Sequence, residues 1–93
     1  MNDYIYAIYD KLSGRYGSPF AACNDLVAAR LALMIKGGYS KAFDGLYRIG
    51  IFANSSGVIE GCEPVDISES VDEVVKLSQQ IDEQRSEEFV DNG

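Results

Sequence analysis

The chain contains no histidine and no tryptophan. Without an imidazole, Ser-His and Cys-His nucleophiles and histidine-held metals are excluded. Its two cysteines, Cys23 and Cys62, form no C-x-x-C pair. A zinc site would need carboxylates to complete it, so they read as two half-buried free thiols in a reducing cell. No Walker-type or G-x-G-x-x-G phosphate loop is present. No stretch approaches the roughly 20 apolar residues of a membrane span. The acidic start Met1-Asn2-Asp3 runs into alternating tyrosines, unlike a secretion signal. These absences predict a non-enzymatic cytoplasmic chain with no cofactor, no metal and no membrane partner.

What is present is globular. The 93 residues are 46% apolar and 25% charged, which suits one small folded domain rather than a disordered chain. The charge is unevenly placed. Residues 1–59 hold six basic and four acidic residues, a balance of +2, whereas residues 60–93 hold two basic and eleven acidic, a balance of −9. The first part can approach an anion, and the second repels or competes with one.

Tyr4 to Tyr9 reads as a strand with apolar residues on both faces, Tyr4, Tyr6 and Ile8 against Ile5, Ala7 and Tyr9, which predicts a central position. Ser13-Gly14 marks a turn, and Tyr16 to Phe20 returns as a second strand that Pro19 confines to an edge. Asn24 caps a helix from Leu26 to Lys36, ended by Gly37-Gly38. At 100° per residue, Leu26, Val27, Leu31, Leu33, Met34 and Ile35 form its apolar arc, with Arg30 in the middle and Ala28, Ala29 and Ala32 outside it. A loop, Gly38 to Gly45, carries Tyr39, Lys41 and Phe43. Leu46 to Phe52 is a third strand, Asn54 to Gly57 a turn, and Val58 to Cys62 a fourth strand before Pro64 closes the sheet. Ser70 to Glu73 fits a capping box that opens a helix to about Gln84, with Val71, Val74, Val75, Leu77 and Ile81 at helical spacing.

The expected fold is α+β: a small, mostly antiparallel four-stranded sheet in the order β-β-α-β-β, with one packed helix and a C-terminal amphipathic helix. Residues 1–67 form the core domain, and residues 68–93 an acidic helix with a frayed tail. So small a core, with a helix apolar over much of its circumference, predicts a homodimer.

The order of motifs is specific. Tyr6-Ala7-Ile8-Tyr9-Asp10, Tyr16 to Phe20 with its Pro19-Phe20 pair, Asn24-Asp25 with Ala28, Ala29 and Arg30, Leu46 to Phe52, Gly57-Val58-Ile59 and Pro64 follow in series. This series closely resembles the small non-structural protein of gokushovirus-type Microviridae, phages with circular single-stranded DNA. That family carries, in the same order, Y-x-I-Y-D, P-F, an N-D helix start with A-x-R, and L-x-x-I-G-x-F before T-G-x-I. The resemblance spans roughly Tyr4 to Ile67. This chain departs from it with Phe52-Ala53 for Phe-Asp, and with Phe43-Asp44-Gly45 where the family often has Pro-x-Asp.

The resemblance implies a protein made in the host bacterial cytoplasm during infection, absent from the virion, and DNA-binding in the switch from double-stranded replication to single-stranded genome synthesis. On that reading Tyr4, Tyr6 and Tyr16 stack unpaired bases, and Arg15, Arg30, Lys41 and Arg48 meet phosphates. The structural alternative packs the tyrosines under the C-terminal helix and pairs Arg30 with Asp10 or Asp44. The acidic segment reads as a solvated face, a competitor covering the basic surface, or a docking peptide for a phage or host protein. The alternative function is a dimeric interaction module for a replication, assembly or defence factor, without nucleic acid.

Overall fold

The computed structural model describes residues 2–37 and 45–91, with side chains described as far as Gln80. Strand β1 (Asn2–Asp10) is central in an antiparallel sheet, as its two apolar faces predict. β2 (Arg15–Tyr16) and β3 (Phe20–Ala22) pair with one edge of it. β4 (Gly45–Ala53) pairs with the other edge, and β5 (Val58–Asp66) lies outside β4. The order is three strands, helix α1 (Asp25–Lys36), two strands and helix α2 (Ser68–Asp91).

This differs from the expected four strands because the second is broken in two. The Gly17 N–H still reaches the Ile8 carbonyl at 2.8 Å, but Pro19 has no N–H to offer, and pairing resumes only at Phe20. Pro64 was expected to close the sheet, yet β5 continues through it to Asp66. The register shifts opposite Arg48 to Gly50, so Pro64 sits in an irregular stretch of an edge strand where no ladder N–H is required. A second shift, between Ile5 and Tyr6, leaves Ile49 as the extra residue of β4 and aligns Tyr6 with Arg48 and Ile8 with Leu46.

α1 has the predicted caps. Asn24 Oδ1 accepts the Val27 N–H at 2.9 Å, and Gly37 closes the helix at φ 88°, a left-handed conformation that suits glycine. Its buried face corrects the expected arc. Ala28, Ala29, Ala32 and Leu33 are buried, while Leu26, Val27, Met34 and Ile35 are exposed. Of the remaining arc, Leu31 is half-buried against the core. The sheet supplies the bulk here, since Tyr6 and Leu46 are the largest fully buried side chains among the described residues. Ala28, Ala29 and Ala32 let the helix backbone approach them closely, which a leucine at any of these three positions would prevent.

α2 begins two residues before the expected capping box. Asp66 Oδ1 accepts both the Ser68 N–H at 2.9 Å and the Ser68 hydroxyl at 2.6 Å. The same hydroxyl accepts the Leu46 N–H at 3.1 Å, which ties the helix to the start of β4. These bonds hold the Asp66 carboxyl below its ordinary pKa. Ile67 and Val74 enter the core with Tyr6, Ile8, Ala22, Leu46 and the α1 alanines, and Val71 and Val75 flank it. Leu77, expected in the same stripe, is exposed. Both helices therefore cover one face of the sheet.

Candidate nucleic-acid interface

The residues selected from sequence do not form one site. Tyr4, Tyr6 and Arg48 meet on the helix-covered face, around Asp25 at the start of α1. Tyr6 is fully buried, stacks on Phe20 at a centroid distance of 6.0 Å, and donates its hydroxyl to Asp25 Oδ1 at 2.7 Å. Burial, then the hydrogen bond to Asp25, pushes its pKa well above that of a free tyrosine. Arg48 lies 3.4 Å from the same carboxylate oxygen and 5.3 Å from the Tyr4 ring centroid. Tyr6 therefore has no face left for a base, and Arg48 is already charge-paired.

Arg30 is exposed on the outward side of α1. Asp10, one of its expected partners, instead accepts the Leu12 N–H at 3.0 Å. Lys41, with Asp44, Tyr39 and Phe43, lies outside the described residues. The cysteines, read as half-buried, are both exposed free thiols.

Arg15 and Tyr16 are brought together in β2, on the other side of the molecule. Strand alternation places Tyr9 on the face opposite Tyr6 and Ile8, and the register sets Tyr9 against Tyr16 and Asp10 against Arg15. Tyr47, paired with Ala7, completes a cluster of three rings. Tyr9 and Tyr16 are 5.1 Å apart, Tyr16 and Tyr47 5.6 Å, and Tyr9 and Tyr47 6.4 Å, all edge to face. Tyr16 is 42% exposed, and the other two are half-buried. An open pocket of about 520 Å³ borders the cluster, lined by Asp10, Ser13, Arg15, Tyr16, Gly17 and Ser18.

Tyr9 and Tyr47 were missed by the sequence reading. The Tyr9–Tyr16 pair was accessible from the Ser13-Gly14 turn, because a hairpin around it sets Tyr9 opposite Tyr16. Partial burial first, then Asp66 and the neighbouring rings, raises the Tyr47 pKa above that of a free tyrosine. The face thus carries three rings, with Arg15 on its hairpin side and Asp66 near its Tyr47 side. α2 packs on the opposite face, so its described part does not cover the rings.

No helix among the described residues is long and apolar enough to cross a membrane. No curated protein and no solved structure matches the chain. The family model described as phage ORF5 protein matches residues 3–74, a span that runs from β1 to the α2 turn holding Val74 in the core. The chain therefore belongs to the phage ORF5 protein family, a family of bacteriophage proteins.

Proposed function

We propose that this is a non-enzymatic, non-structural phage protein of the gokushovirus type that binds single-stranded DNA and regulates genome replication in the host cytoplasm. The observation that carries this reading is the ring cluster of Tyr9, Tyr16 and Tyr47 on the sheet face left free by the helices. Base stacking on such rings contributes about 1–3 kcal/mol per base and tolerates any sequence. Arg15 supplies the adjoining phosphate contact. The site thus moves from Tyr4 and Tyr6 to the opposite face and keeps Arg15 and Tyr16. The chain's net charge of −7 weakens binding as a whole, which suits a regulator that releases DNA readily.

A fluorescent single strand titrated with the protein across salt concentrations tests this. Tyr16→Ala and Arg15→Ala both lower affinity, and Arg15→Ala also reduces the salt slope by about 0.7. Binding unchanged in both variants removes DNA from this face. A second reading, a dimeric interaction module without nucleic acid, is favoured by the large apolar side chains that α1 leaves outside the core.

A further inference from the structure

The outward side of α1 carries Leu26, Val27, Arg30, Met34 and Ile35, at the i, i+4 and i+8 spacing of a helical stripe. Leu26 and Val27 are over a third exposed, and Met34 and Ile35 are 68% and 62% exposed. The alanines of the same helix have no exposed surface at all. A helix that served only to cover the sheet would bury its largest residues. This one buries three alanines and Leu33 and presents Leu26, Val27, Met34 and Ile35, an apolar surface of the kind that interaction sites expose.

The charge within the stripe identifies the partner. Arg30 lies midway between the Leu26–Val27 and Met34–Ile35 pairs, so whatever covers them also covers a guanidinium. Excluding water from that charge is unfavourable unless a carboxylate comes with the partner. A second copy of α1, packed antiparallel across a two-fold axis, brings another Arg30 beside the first and is disfavoured. The stripe has no aromatic ring on which a base could stack. We infer that the outer stripe of α1 is a docking surface for a partner protein's amphipathic helix bearing one carboxylate within its own apolar stripe. This rests on the interaction reading and is independent of the tyrosine face.

Two synthetic helical peptides with the same leucine stripe, one with a central Glu and one with a central Lys, test it against the full chain by fluorescence anisotropy. The chain's net charge of −7 alone favours the Lys peptide, so a preference for Glu reads Arg30 locally. The Glu peptide binds the wild-type chain roughly tenfold more tightly than the Lys peptide. Arg30→Glu inverts the preference, and Met34→Asp abolishes binding of both while the thermal melt is retained. Equal affinities, or binding of neither peptide, overturn the inference. Self-association that Met34→Asp removes also overturns it, by giving the stripe to a second copy, and leaves the interaction reading standing.

Discussion

The Tyr6 hydroxyl and the Asp25 carboxylate are joined at 2.7 Å, which fixes the first turn of α1 over the centre of β1. The same oxygen is 3.4 Å from Arg48 of β4, so one carboxylate links the helix to two neighbouring strands. Tyr6→Phe removes a hydrogen bond to a charged acceptor and leaves the packing in place. It lowers stability by about 1–2 kcal/mol in urea titrations without altering DNA binding. The raised Tyr6 pKa adds a pH signature. Above the ordinary tyrosine value of 10.0 the unfolded chain loses this proton while the folded chain keeps it. Wild-type stability therefore falls as pH rises past about 10, more steeply than that of Tyr6→Phe. Parallel pH slopes for the two proteins would contradict the buried hydrogen bond.

The inverted packing of α1 gives opposite results for residues of the same helix. Ala29→Leu forces bulk between α1 and its support and costs about 1–3 kcal/mol. Met34→Ser, on the exposed side, changes stability by no more than about 0.5 kcal/mol. Chemical denaturation of both variants checks this. A costly Met34→Ser would place the larger residues in the core after all.

Gly50 sets the spacing between β4 and β5. A Cβ at this position would lie 2.7 Å from the Glu60 carbonyl oxygen, and backbone cannot yield as a side chain can. Gly50→Ala lowers the melting temperature and accelerates amide exchange across β4–β5, at a cost of about 1–3 kcal/mol. Exchange that quickens only in α1 would contradict this.

How much of this was legible depended on how local each cause is. The Asn24 cap, the Gly37 stop and the central β1 follow from a few adjacent residues, and the structure has them. Which face α1 buries was not legible, because an apolar arc weighs the helix's own side chains. The choice is set by Tyr6 and Leu46 on the sheet, which supply the volume that alanines then fit. The grouping of Tyr47 with Tyr9 and Tyr16 depends on the extra residue Ile49. That bulge puts Tyr47, paired with Ala7, on one face and Ile51, paired with Tyr4, on the other, against simple alternation. Strand pairings and bulges are long-range facts. Arg48 was read as a phosphate ligand because its partner Asp25 is distant in sequence.

The acidic end can be separated from the core, but the position of the cut matters. Val74 belongs to the core and Val71 and Val75 pack against it, so deleting residues 69–93 unfolds the chain. Deleting residues 81–93 spares those contacts and removes net negative charge, so it raises single-stranded DNA affinity at low salt. A folded protein with unchanged affinity would exclude the tail as a competitor.

The most direct measurement is an NMR titration of the full chain with a short single strand, following the aromatic resonances. The DNA reading predicts that Tyr9, Tyr16 and Tyr47 shift together with Arg15, while Tyr6 and Phe20 beneath α1 stay in place. Shifts confined to the helical face, or none at saturating DNA, would contradict it.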